Sequence, residues 1–176
     1  MLLPIYYYGH PVLRKHCAVI ETITDEIRKL SQDMIETMDY KNRGIGLAAP
    51  QVGYPIRLFV CRSYIFGEDQ NWKLSEPKVY INPKLSSPSD RMLTDTEGCL
   101  SFPQLRLEID RPDSIVVEAM AVDGHLFREE VEGYNARVRM HENDHINGVL
   151  FIDRIDAHQR KKITPLLLEI KKKYNS

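Results

Sequence analysis

The chain has 176 residues, 43% of them hydrophobic and 28% charged, with a formal net charge of -1. That length supports one domain with its own core over residues 1–176, and the balanced charge gives no general reason to expect DNA or a membrane as partner. Three cysteines, Cys17, Cys61 and Cys99, show no paired spacing, so the pattern suits a reducing cytoplasm better than a disulfide framework.

No run approaches the length of a membrane helix, and residues 1–9 lack the basic and apolar regions of a signal peptide, so the mature chain is expected to begin here. Pro11 biases His10 away from helix, and residues 9–15 read as an extended or turn segment with His10 and His16 at the surface. Thr24 suits an N-cap, followed by Asp25 and Glu26 at the positive helix end. Ile27, Leu30, Met34 and Met38 then recur at helical spacing, giving an amphipathic helix to about Tyr40. The stretch Gly44-Ile45-Gly46-Leu47-Ala48-Ala49-Pro50-Gln51 reads equally as a tight packed turn or as a strand edge that a peptide can join.

Residues 56–61 read as a strand with Cys61 a buried thiol, residues 63–77 as an irregular loop carrying Trp72, and residues 79–81 as a short strand stopped by Asn82-Pro83. Residues 86–91 form another loop. Two strand-like runs flank Asp123-Gly124-His125 and predict a β-hairpin with His125 exposed. Residues 134–147 contain neither Pro nor Gly and lie between Gly133 and Gly148, which predicts a central helix. Thr164-Pro165 suits the start of a terminal helix whose last turn holds Lys171, Lys172 and Lys173. This order predicts an α+β fold. Short antiparallel or mixed strands should pack around the central helix, with an amphipathic helix near the N-terminus and another helix at the C-terminus.

The central helix carries His141-Glu142-Asn143-Asp144-His145. Helical positions i and i+4 share a face, so His141 and His145 can grip one metal ion while Glu142 reaches a water on it. The third ligand decides the chemistry. A His at position 151 would continue one known pattern, but Phe151 stands there. Glu169 is a candidate for a zinc peptidase of another kind. Cys99, in Glu97-Gly98-Cys99-Leu100-Ser101, would give a thiolate, two imidazoles and one open position, which is a catalytic arrangement.

Three stretches together, 44–51, 97–101 and 141–145, resemble the motifs of the peptide deformylase family in their order, as do Gly9-His10-Pro11-Val12-Leu13-Arg14 and residues 150–154. The resemblance covers roughly residues 8–154. One departure is Met140, where the family usually has Gln; the exchange can alter activity or ligand orientation but is not expected to abolish the site, and Met140→Gln is not expected to raise turnover greatly.

The resemblance implies a metal-dependent hydrolase that removes the formyl group from N-terminal formylmethionine of new polypeptides and releases formate. It implies Cys99, His141 and His145 as metal ligands, Glu142 as general base, and the Leu100 N–H and Gln51 amide as oxyanion donors. It further implies that the peptide pairs with Gly44, Ile45 and Gly46. The methionine pocket would be formed by Ile45, Tyr134, Val138 and the face of His141, with Glu97 and Arg137 at its margin and Arg106 further along the peptide. Asp144 is expected to pair with Arg111. Iron(II) is the implied native ion, with zinc, nickel or cobalt compatible with the donors. N-formylmethionyl peptides and nascent chains are the implied partners, in the cytoplasm, with transient ribosome contact through the basic terminal helix as a further reading. The alternatives are the zinc peptidase using Glu169 and a non-catalytic peptide-binding relative.

Overall fold

The computed structural model describes residues 1–42 and 44–175. Helix α1 (Asp25–Asn42) is capped by Thr24, whose Oγ1 accepts from Ile27 N at 3.3 Å. The sheet contains β1 (Gly46–Ala48), β2 (Leu58–Cys61), β5 (Lys78–Ser86), β8 (Ser114–Met120) and β9 (Leu126–Glu132), hydrogen-bonded in that order. Two separate ribbons complete the strands: β3 (Tyr64–Phe66) with β4 (Trp72–Leu74), and β6 (Met92–Cys99) with β7 (Phe102–Pro112). Helix α2 (Gly133–Ile146) follows β9, and α3 (Ala157–Tyr174) closes the described chain.

The α+β expectation is met, and every strand pair among the described residues is antiparallel; the parallel element is a single bridge between Ala18 and Ile56.

Strand β2 explains the layering. Side chains alternate across a strand, so Leu58 and Val60 join Leu30, Met34 and Met38 of α1, while Phe59 and Cys61 join Ala136, Met140 and Ile146 of α2. The sheet is therefore covered on both faces, and all four β2 residues are buried. Met140 belongs to the apolar layer against the sheet.

The β6–β7 ribbon packs Phe102, Leu105, Leu107 and Ile109 with Leu150, Phe151 and Ile152, and with Leu167 and Ile170 of α3. Helix α2 is consequently enclosed on several sides and buries polar as well as apolar residues, which demands a partner for almost every polar atom.

Three local expectations are corrected. Residues 63–77 contain the paired strands β3 and β4 instead of an irregular loop. The short strand at 79–81 continues to Ser86, because Asn82 takes φ +50° and a register shift between Ile81 and Lys84 absorbs Asn82-Pro83 without ending the pairing. Helix α3 starts at Ala157, capped by Asp156, whose carboxylate accepts from Gln159 N at 2.8 Å. Pro165 lies inside α3, at an exposed position, and Thr164 Oγ1 donates to Arg160 O at 2.9 Å. The 9–15 segment contains a single 3-10 turn, Pro11–Arg14.

Candidate metal centre

Helix α2 opens after Glu132 and ends at Ile146, and the chain turns away from it at Gly148, which adopts φ +72°. A Cβ on Gly148 would lie 2.6 Å from the Arg14 carbonyl oxygen, so the helix exit requires glycine for space as well as for conformation. Between these ends, His141 and His145 put their ring centroids 5.1 Å apart, and both are buried.

Cys99 ends β6 at a register shift immediately before the turn into β7. Its Sγ lies 3.4 Å from His145 Nε2, and the ligating atoms of Cys99, His141 and His145 all fall within 4.8 Å of one another. A tetrahedral ion bound at about 2.3 Å to sulfur and about 2.0 Å to nitrogen would hold such donors roughly 3.5 Å apart. The donor set therefore fits a divalent ion.

Two buried side-chain atoms nearby, Glu142 Oε2 and His145 Nδ1, have no hydrogen-bond partner among the described residues. For Glu142 that is the arrangement expected of a carboxylate awaiting a water or substrate proton. Burial pushes its carboxyl up to about 7.

Glu97 organises the opposite side. Its Oε1 lies 2.7 Å from His141 Nδ1. Arg111 donates to both Glu97 oxygens at 2.6 and 3.0 Å, and Arg137 adds a bond of 2.7 Å to Oε2. Burial alone would raise the Glu97 carboxyl, but the hydrogen bonds from His141 and Arg111 outweigh it and hold the group well below the usual carboxylate range. Arg111 continues to Asp144 at 3.0 Å, as the sequence suggested, and Asp144 also accepts from Arg154 at 2.6 and 3.1 Å. No sequence signal pointed to Arg154 in this role. Burial disfavours a charged imidazole at both histidines. At His141 the hydrogen bonds with Cys99 and Glu97 reverse the balance and raise it well above normal, whereas His145 is held well below.

Gln51 sits in a 3-10 turn directly after β1. Its Oε1 accepts from Ala48 N at 2.9 Å, which orients Nε2 towards Cys99 Sγ at 3.4 Å and Ser101 Oγ at 3.2 Å. Ser101 in turn donates to Tyr6 O at 2.7 Å. Gly46 lies against the general-base candidate: a Cβ there would meet Glu142 Oε1 at 2.7 Å.

These groups open into a cleft of about 690 Å³. Gly44, Ile45, Gly46 and Gln51 line it, and so do Glu97, Cys99, Leu100 and Arg106. Tyr134, Arg137, Val138, His141 and Glu142 contribute from α2. Arg137 is held in place, because besides Glu97 its guanidinium bonds Ile109 O and Leu93 O, both at 2.8 Å.

Glu169 is exposed on α3 and stands outside the ligand triad, which removes it as third ligand. Sequence reasoning missed Tyr7, Tyr64 and Tyr174, which also line the cleft. Only their aromatic character could have flagged them, since they come from three distant segments.

The chain is similar over most of its length to known proteins. A family model described as polypeptide deformylase matches residues 2–161. The chain is 41% identical over 162 residues to a peptide deformylase of Acinetobacter baumannii strain SDF, covering 92% of this chain and 88% of the relative. It is 41% identical over 160 residues to one from Agrobacterium fabrum, covering 91% of each. Among solved structures, peptide deformylase from Thermotoga maritima gives a TM-score of 0.79 at 40% identity, covering 89% of this chain and 99% of that one. The Thermus thermophilus enzyme gives 0.85 at 36% identity, covering 98% and 99%.

Proposed function

Because the chain belongs to the polypeptide deformylase family, we propose that Glu142, Gln51 and Leu100 perform the family's reaction at the Cys99–His141–His145 centre. That reaction is removal of the N-formyl group from new polypeptides with release of formate, and the protein is a metal-dependent hydrolase. The observation that carries the assignment is the unpartnered, buried Glu142 Oε2 beside three converging ligand atoms at one cleft.

A divalent ion held by the three ligands would polarise a water and bring its pKa towards neutrality. Glu142 takes the proton of the attacking water and returns it to the leaving amine. A carboxyl shifted to about 7 is matched to both transfers near neutral pH. The oxyanion that develops on the former formyl carbon receives hydrogen bonds from the Gln51 amide and the Leu100 N–H. The anchored Oε1 of Gln51 supports this role, since it keeps the amide from turning away.

The peptide adds as a strand beside Gly44, Ile45 and Gly46, and the edge position of β1 in the sheet supports that reading. Its methionine side chain enters between Ile45, Tyr134, Val138 and the ring of His141. Glu97 and Arg137 at the margin are hydrogen-bonded to one another at 2.7 Å, so neither side chain reaches into the apolar space. Arg106 meets the peptide further along.

Iron(II) is the ion we assign, and zinc, nickel and cobalt suit the same donors. The site of action we assign is the cytoplasm; no described helix is long and apolar enough to cross a membrane. The exposed Lys171, Lys172 and Lys173 also offer charge for transient contact with ribosomal RNA. Unchanged ribosome co-sedimentation of Lys172→Glu/Lys173→Glu protein would remove that contact.

The deciding experiment measures formate from a formyl-Met dipeptide with anaerobically prepared, iron-loaded protein. The acetylated peptide and Glu142→Ala protein serve as controls. Release from the formyl peptide by the unsubstituted protein alone is expected. Cleavage of internal peptide bonds, or binding without release, would overturn the assignment.

A further inference from the structure

The β3–β4 ribbon exposes apolar surface next to the cleft. Its register sets Tyr64 opposite Leu74 and Phe66 opposite Trp72, so these four side chains share one face while Ile65 and Lys73 take the other. All four are exposed, Phe66 at 56% and Trp72 at 67%, and the Phe66 and Trp72 rings lie 5.1 Å apart.

An isolated two-stranded ribbon is marginal in water, but the base of this one is bolted down. Asn135, in the first turn of α2, accepts from Tyr64 N at 2.8 Å and donates to Tyr64 O at 2.9 Å. The Tyr64 ring stands edge-on to Tyr134 at 5.8 Å. Arg139 donates to Ser63 Oγ at 2.8 Å and Arg62 to Ser75 O at 2.8 Å.

Tyr64 therefore belongs to two surfaces. It lines the catalytic cleft and it begins the apolar face that runs outward to Phe66 and Trp72. A contiguous exposed apolar face marks a binding surface, and continuity with the cleft says what binds.

We infer that the Tyr64–Leu74–Phe66–Trp72 face is an outer subsite that receives apolar side chains of the formylated peptide beyond its second residue. The inference rests on the reaction assigned above. Along each strand the side chains of this face, Tyr64 to Phe66 and Trp72 to Leu74, repeat at about 7 Å, the repeat of alternate side chains in an extended peptide. The subsite thus favours chains that leave the cleft extended and carry an apolar residue on the side facing the ribbon. It makes the enzyme selective among nascent chains at positions remote from the formyl group.

Trp72 is the sole tryptophan of the chain and reports directly on this face. Metal-loaded Glu142→Gln protein is titrated with formyl-Met-Ala-Ser-Leu-Phe and with formyl-Met-Ala-Ser-Ser-Gln, following Trp fluorescence. The apolar peptide is expected to shift the emission to the blue and bind about tenfold tighter than the polar one. In parallel, the unsubstituted enzyme should show an about tenfold lower KM for the apolar peptide at similar kcat, and Phe66→Ser/Trp72→Ser protein should bring the KM ratio near one. Equal affinities, an unshifted Trp72, or a ratio unaffected by the double substitution would overturn the inference. So would a shift that depends on protein concentration without peptide, which would identify a second copy as the occupant. Failure of formate release from every peptide would instead strike the reaction, while the titration would still decide the subsite.

Discussion

Glu97 Oε1 lies 2.7 Å from Nδ1 of His141, which leaves Nε2 as the nitrogen this ring can offer to a metal ion. Glu97 is itself held by Arg111 and Arg137, so the orientation of the ligand is set by a chain of buried charges.

Replacing Glu97 by Gln keeps its shape but removes the charge that the two arginines and His141 share. Metal affinity is expected to fall about 10–100-fold, as for other partners of metal-bound imidazoles. Competition with a chromophoric chelator reads this directly, and an unchanged affinity would mean that Glu97 serves only its arginines.

Arg111→Ala leaves Glu97 and Asp144 without a buried counter-charge from that side. Breaking such a pair typically destabilises by about 3–5 kcal/mol, although Arg154 still reaches Asp144 and Arg137 still reaches Glu97, which places the expected loss at the lower end. Urea unfolding of the two proteins at one metal concentration supplies the number. A midpoint shared by both would dispose of the network as a source of stability.

Gln51→Ala removes one oxyanion donor while Cys99, His141 and His145 stay intact. The turnover number should drop ~10²–10³-fold, with metal content equal to that of the unsubstituted enzyme. Loss of metal in step with loss of activity would reassign Gln51, through its 3.4 Å contact with Cys99 Sγ, to holding the ligand.

Glu129 supplies the pH dependence of a second buried cluster. Burial raises its carboxyl, but the charge of Arg139 and hydrogen bonds from Tyr80, Arg139 and Lys78 outweigh it and leave the group lowered. A depressed folded value means that the unfolded chain binds the proton more readily. The stabilisation is then complete above the unfolded carboxyl range, about pH 4.3, and is lost as pH falls through the folded value. Unfolding free energies of the unsubstituted and Glu129→Gln proteins, measured from pH 7 to pH 3, should converge at the acid end. A gap constant across that range would exclude the linkage.

Chelation of the metal should lower Tm in proportion to the ion's affinity, because binding to the folded triad alone stabilises it by mass action. Cys99→Ser protein should show a smaller drop, having less metal to lose. Equal drops would indicate that the thiol contributes nothing to binding.

Much of the site was legible because its chemistry is written in local spacing. His141 and His145 are one helical turn apart, and nothing beyond the helix is needed to put them on one face. Strand β7 was legible but passed over: Leu105, Leu107 and Ile109 are buried in strict alternation with exposed Arg106, Glu108 and Asp110. Residues 63–77 misled because their apolar side chains stay exposed, so no buried alternation marks the strands. At Thr164-Pro165 a good local start signal lost to the capping box at Asp156 upstream.

By itself, the sequence determined that His141 and His145 share one helix face with Glu142 beside them, the α+β order of elements, the core stripe of α1 and the burial of Cys61. Each depends on periodicity or on neighbours within a turn. Only the tertiary structure set Cys99 Sγ beside the two histidines with Glu169 apart, made Gly46 a seat for Glu142, and added Arg154 to the Arg111–Asp144 pair. It also brought Tyr64 beside Tyr134. These relationships link residues from separate ribbons and helices, and no local spacing encodes the distance between two elements that meet only when the core has packed.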